Sequence, residues 1–376
     1  MKPKIQTFDL LKLASGDQLS LQVYQFIGKK SDKKVYIQSN LHGSEIVGNA
    51  VIAQLIDFFS GLKPEQLDGE VWLVPICNPI GTNQRNHFFA TGRYNSYDGK
   101  DWNRIFWDYE KNCQDLEGFV KAHFKLDSLS IQESFLKQQK KAFTKQLDKI
   151  QGSSSAPLYE QYRYQLQSLS IDANYVIDLH SSSNQGIDYL FCFPGKQEES
   201  AKYFNIDYGI SMNTYDGDAF DESFMKPWLA LEKKFKELGR DINVDRESWT
   251  LELGSGMQMN PQSVAVGVSG IKNYLVKKNV LKLPNYSPQI TEIKLVSRQQ
   301  IKSYYAPTGG MVQNRMSLKH TVKAGDKLYQ IISFNKQGKL PEIIDIYAEN
   351  DGFIFDVSTS YSVNQGEYIL ALLSLE

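Results

Sequence analysis

An apolar, β-branched run, Val35–Leu41 (VYIQSNL), meets a helically spaced stretch, Ile46–Phe59 (IVGNAVIAQLIDFF), with only His42-Gly43-Ser44-Glu45 between them. A strand that turns directly into a helix is the building unit of α/β sheets. Three more apolar runs repeat the strand signal: Val71–Cys77 (VWLVPIC, ended by Asn78-Pro79), Tyr175–Leu179 (YVIDL) and Trp249–Leu253 (WTLEL). The expected class is therefore α/β, with a mixed or mostly parallel sheet flanked by helices. In such sheets ligands bind beyond the carboxyl ends of the strands, and three of these four runs carry polar residues there.

Leu116–Leu169 differs, being rich in Gln, Lys and Ser with apolar residues at helical intervals (Phe135, Leu136, Phe143, Leu147, Ile150). It reads as an insertion of two helices, about 116–169, separated by the loop Gln151–Pro157. No heptad is sustained, so it packs on the sheet or caps a site rather than forming a coiled coil. Near Leu281–Pro288 (LKLPNYSP) the helical pattern stops. Short strand-like runs such as Lys327–Ser333 and Gly352–Val357 follow, punctuated by Gly309-Gly310, Gly325-Asp326, Asp351-Gly352 and Gly366. The expected division is a large domain over 1–287 and a small all-β domain over 288–376.

The length of 376 residues agrees with two domains. Lys+Arg (42) and Asp+Glu (43) leave a formal charge of -1, without the basic surplus a nucleic-acid binder needs. No apolar run approaches the roughly 20 residues of a membrane span. The amino-terminal MKPKIQTFDLLKLASGDQLSLQV lacks the apolar core of a signal peptide. Cys77, Cys113 and Cys192 are scattered and odd in number, which argues against a disulfide framework and for a reducing, cytoplasmic setting.

Chemistry concentrates at the strand ends. His42 and Glu45 stand three apart, and residues so spaced at a helix start share one face, where they can converge on one ion. Imidazole and carboxylate are ordinary zinc ligands, and a catalytic zinc takes three protein ligands. His180, closing YVIDLH, meets the requirement for a third, and Asp178 on the same strand points the same way, as its orienting partner or a strand-end cap. Each feature alone has a blander reading. A single His-x-x-Glu arises by chance, and a histidine at a strand end is commonly structural. His87, His123 and His320 have no partner at ligand spacing, and no HExxH occurs. Asn103-Arg104 alone reads as an exposed loop pair, and Arg93 as a solvated side chain. Glu252, between Leu251 and Leu253, is costly in a buried strand unless paired, and a cost of that kind favours function over decoration.

The ordered series HGSE, NPIGTNQRNHFFATGRYNSYDGKDWNRIF, DLHSS and LELG resembles the succinylglutamate desuccinylase/aspartoacylase family, relatives of the zinc carboxypeptidases, over roughly residues 35–280. It looks closest to the predicted-deacylase branch with a small carboxy-terminal β-domain. The resemblance implies a carboxypeptidase-like mixed sheet and one zinc ion held by His42, Glu45 and His180. It implies that Asn103 and Arg104 bind the substrate α-carboxylate, that Arg93 stabilises the oxyanion (with Arg85 and Arg104 as competitors), and that Glu252 is the general base. Trp102 stands where leucine is commoner in the family's DLNR. No motif marks a substrate-gripping tyrosine, and Tyr215 is only a guess. The carboxy-terminal segments APTGGMV, VKAGDKL, AENDGFIFDV and VNQGEYIL resemble a biotinyl/lipoyl-like barrel-sandwich. Residues 350–352 are Asn-Asp-Gly, without a carrier lysine, so a structural or site-flanking role is expected.

The expected function is a zinc-dependent amidohydrolase that cleaves an N-acyl amino acid, with Glu252 and zinc activating water. The alternative is a metallocarboxypeptidase acting on peptides. A non-catalytic binding protein on the same fold is disfavoured by the complete residue set. The expected partner is a small-molecule N-acyl amino acid or short peptide, with no nucleic acid and no membrane. A homo-oligomer is left open, and acyl specificity lies in pocket walls that motifs do not define.

Overall fold

The computed structural model describes residues 1–112, 115–151 and 156–374. Cys113 and residues 152–155 of the expected loop Gln151–Pro157 lie outside the described residues. The strands and helices of the first part, in chain order, are β1 (Lys4–Lys12), β2 (Gln18–Ile27), β3 (Lys30–Ser39), α1 (Val47–Gly61), β4 (Asp68–Val74), α2 (Pro79–Asn83), α3 (Tyr109–Asn112), α4 (Leu116–His123), α5 (Ser128–Gln151) and α6 (Leu158–Ser170). There follow β5 (Tyr175–Ser182), β6 (Gln185–Gly186), β7 (Asp188–Cys192), α7 (Lys196–Ala201), β8 (Tyr208–Ser211), α8 (Phe220–Glu237), β9 (Glu247–Ser255), α9 (Pro261–Lys277) and β10 (Lys294–Ser297).

One nine-stranded sheet runs β1-β2-β4-β3-β5-β9-β7-β8-β10. Its centre is parallel (β4, β3, β5, β9), whereas β2 meets β4, and β7 meets β9, antiparallel. The sheet is thus mixed, and helices cover both faces. Val35 and Ile37, with Tyr175, Ile177 and Leu179, pack against α1 and α9. Tyr36 and Val176 alternate onto the other face, against Tyr162 and Leu166 of α6. Burial on both faces is why the central strands read as unbroken apolar runs. The same alternation sends Asp178 and His180 to the α6 side of β5.

The expected two-helix insertion is corrected to three, α4, α5 and α6. The break at residues 124–127 has a local cause. Asp127 accepts the Ser130 backbone N–H (3.0 Å) and hydroxyl (2.7 Å), capping a fresh helix start. The insertion shares an aromatic core of Phe119, Phe135, Phe143 and Tyr164 with Trp228 and Phe235 of α8.

After β10 the described chain is strands with one short 3₁₀ turn: β11 (Ile301–Tyr305), β12 (Gly310–Gln313), β13 (Thr321–Val322), β14 (Lys327–Ser333), β15 (Glu342–Tyr347), β16 (Gly352–Val357), β17 (Ser362–Val363) and β18 (Tyr368–Leu373). They form two sheets, β11-β18-β16-β13 and β15-β14-β12-β17. Leu328, Ile331, Ile354, Ile369 and Leu372 fill the core between them. This part is fastened to the large sheet. β6 pairs with β16, and Ile187, Ile210 and Val296 pack on Phe353, Phe355 and Leu373. No described helix is long and apolar enough to cross a membrane.

Candidate active site

The parallel strands β3, β5 and β9 deliver their carboxyl ends side by side, with Ser39 opposite Leu179 and His180 opposite Glu252. Beyond β3 the chain turns at Asn40, whose φ of 68° is one that asparagine tolerates. Its Nδ2 donates to the carbonyls of His42 and Gly43, both at 3.1 Å, so the turn is fixed before the helix begins. His42 and Glu45 therefore occupy this turn, ahead of Val47, rather than the first turn of α1 as their spacing suggested. Gly43 is needed for its lack of a side chain. A Cβ there would stand 2.1 Å from the Gly81 carbonyl oxygen, and the Gly43 N–H donates to Gly92.

His42 Nδ1 lies 2.9 Å from Glu45 Oε1, and His180 Nδ1 lies 2.7 Å from Glu45 Oε2. All three residues are buried, with ligand atoms within 4.8 Å of one another, and the group could hold a metal ion. The outer ring nitrogens face carboxylates. His42 Nε2 is 3.1 Å from Asp101 Oδ1. His180 Nε2 is 2.9 Å from Asp178 Oδ2, although not aligned for a hydrogen bond. A carboxylate behind each imidazole is how metal-binding histidines are held in one orientation. The donor set and its backing thus fit a divalent cation such as zinc.

Burial alone would raise the Glu45 carboxyl, but the two imidazoles hold it well below the usual range. Asp101 is likewise held low against burial, by His42 and Arg93. Glu252 behaves oppositely: burial pushes it up to about 7, and its Oε2 is buried without a hydrogen-bond partner. A carboxylate with a raised pKa and no partner is suited to taking and returning a proton near neutrality.

Arg93 Nε donates to Asp101 Oδ2 (3.0 Å), and its Nη1 reaches Ser183 Oγ at 3.3 Å. Asn103 donates its backbone N–H to Asp101 (2.8 Å) and accepts the Phe220 N–H on Oδ1 (2.9 Å). Arg104 Nη1 rests on the Asn103 carbonyl. His42, Glu45, Arg93, Asn103, Arg104, His180 and Glu252 all line one cleft of about 280 Å³, so the structure brings these seven together, whereas Arg85 turns to the Thr82 and Gln84 carbonyls. Tyr215 does not line it and packs on Phe193 instead. Among the described residues none of 116–170 lines it either. Sequence reasoning missed Asp101, Ser183, Asp221, Glu222 and Arg298. Asp101 stands inside the recognised DWNR segment and Ser183 directly follows DLHSS, and their adjacency to assigned residues was the available signal.

The sequence model of the succinylglutamate desuccinylase/aspartoacylase catalytic domain matches residues 31–277. Two solved structures of proteins ascribed to that family are similar along their whole length. One, from Shewanella amazonensis, is 28% identical with a TM-score of 0.87, covering 99% of each chain. Another, from Shewanella frigidimarina, is 26% identical with a TM-score of 0.88, covering 100% of this chain and 98% of the other. A succinylglutamate desuccinylase/aspartoacylase from Rhodobacter sphaeroides shares the fold at 15% identity and a TM-score of 0.68, over 100% and 96% of the chains. Curated proteins give no match.

Proposed function

The chain belongs to the succinylglutamate desuccinylase/aspartoacylase family, and from that premise we propose that it is a zinc-dependent deacylase cleaving the amide bond of an N-acyl amino acid. The observation that carries this reading is the buried His42-Glu45-His180 group beside the unpartnered carboxylate of Glu252. His42, Glu45 and His180 would hold one zinc ion. Bound there, zinc supplies a Lewis acid that polarises the amide carbonyl and acidifies the attacking water.

The remaining steps belong to this chain's side chains. Glu252 takes the proton of the attacking water and passes it to the leaving amine. Arg93, anchored by Asp101, presents its charge to the oxygen on which negative charge develops. Asn103 and Arg104 hold the α-carboxylate, Arg104 through its planar fork of donors. Asp101 and Asp178 keep the imidazoles of His42 and His180 turned inward. We take the catalytic unit as 1–287 and the carboxy-terminal β-domain, read as a barrel-sandwich, as 288–376, with β10 returning to edge the large sheet.

A hydrolysis panel of N-acetyl and N-succinyl amino acids, with blocked dipeptides alongside and chelator as control, tests the reading. Chelator-sensitive turnover of N-acyl amino acids is the expected result. Preferential cleavage of dipeptides would replace it with a metallocarboxypeptidase, and no turnover in any arm would remove it.

A further inference from the structure

We propose that Asp356, supplied by the carboxy-terminal sheets, is a positioning residue of the active site: through Ser182 it fixes the segment that carries His180 and Ser183. The chain of contacts is continuous. Asp356 is 8% exposed and uses both carboxylate oxygens. Oδ1 accepts the Tyr368 hydroxyl at 2.6 Å, and Oδ2 accepts the Ser182 hydroxyl in a short hydrogen bond. Ser182 Oγ also accepts the Asn184 N–H (3.0 Å), and the Ser182 carbonyl accepts the Gly256 N–H (2.6 Å). Its side chain and its backbone are thus both held.

The next residue reaches the chemistry. Ser183 Oγ donates to Glu45 Oε1 at 3.0 Å and accepts from Arg93 Nη1 at 3.3 Å. The ladder beyond repeats the grip. Gly186 pairs with Asp356 and Gln185 with Val357, and the Ile187 N–H donates to the Phe355 carbonyl at 3.1 Å. A carboxylate from one sheet system therefore sets where a hydroxyl meets Glu45 and Arg93 in the other. Displacement of such a group by about 1 Å can cost on the order of 100-fold in rate. The β-domain is then part of the catalytic apparatus by geometry, although Asp356 touches no reacting atom.

This inference rests on the deacylase reading for its kinetic arm only. The test compares Asp356→Ala, Ser182→Ala, the double variant, Tyr368→Phe and Asp356→Asn. Tyr368→Phe removes the hydroxyl that donates to Asp356 Oδ1 and to the Asp356 carbonyl without touching the Ser182 link, and so reports the purely structural cost. Expected are a kcat loss of roughly 10–100-fold in each of the two alanine variants, a double variant no worse than either, and near-normal kcat for Tyr368→Phe. Asp356→Asn, which keeps an oxygen for Ser182, should recover most of the rate and covers the case in which Asp356→Ala fails to fold. Additive losses, or equal losses in Asp356→Ala and Tyr368→Phe, would overturn the proposal. Crystal structures of the metal-free variants decide it without any turnover. Ser183 should leave Glu45 in Ser182→Ala and stay in Tyr368→Phe, and a Ser183–Glu45 contact unchanged in Ser182→Ala would overturn it. Absence of hydrolysis in the parent protein would remove the deacylase reading while leaving this comparison intact.

Discussion

Glu252 stands beside His180 on the neighbouring parallel strand, in register, and its buried Oε2 has no hydrogen-bond partner. An acid so placed costs stability as a carboxylate, a cost that the proposed role as general base accounts for. Glu252→Gln should lower kcat by roughly 10²–10⁴-fold, the range of general acid–base catalysis. The melting temperature should hold or rise, because the amide carries no charge to desolvate. Near-normal turnover in a folded Glu252→Gln protein would remove the residue from the mechanism.

The same carboxyl gives a pH signature in the metal-free protein. Burial raises it from 4.5 to about 7 on folding, so between those values the native state binds the extra proton. Its stabilising contribution is complete below about pH 4.5 and is lost as pH rises to about 7. Urea unfolding of parent and Glu252→Gln across that window should show the parent losing stability relative to the variant. Parallel curves would contradict the raised pKa.

Asp101 holds His42 through Nε2 and Arg93 through Nε, and its own carboxyl is kept ionised by both. Asp101→Ala should weaken zinc affinity by roughly 10–100-fold, as loss of the carboxylate behind a ligand histidine does. Competition with a chromophoric chelator measures this directly. An unchanged zinc affinity would mean that the turn alone orients His42.

Gly43 has no room for a methyl group, with the Gly81 carbonyl 2.1 Å from where it would sit. Gly43→Ala should cost about 1–3 kcal/mol or more in denaturant unfolding, the range for overpacking a tight site. Zinc affinity should fall with it, because the backbone that must move carries His42.

Much of this was legible in the chain. Val35–Leu41, Val71–Cys77, Tyr175–Leu179 and Trp249–Leu253 are buried on both sides, so their apolar content announces β3, β4, β5 and β9. The strands β1 and β2 are half exposed and short of unbroken apolar runs, so they pass unnoticed. His42 and Glu45 were recognisable as a pair, yet their setting in a turn depends on the side chain of Asn40 rather than on helical spacing. The Ser182–Asp356 link spans 174 residues, and only tertiary structure brings its ends together. Local pattern shows which residues are chemically capable, whereas the groups that hold them arrive from distant elements.

The central claim is that His42, Glu45 and His180 hold a metal ion on which hydrolysis depends. Metal analysis of protein purified without chelator, set beside His180→Ala, tests it most directly. The account predicts close to one equivalent of zinc in the parent and its loss in the variant. Less than about half an equivalent in the parent, or the same content in a folded His180→Ala protein, would contradict it.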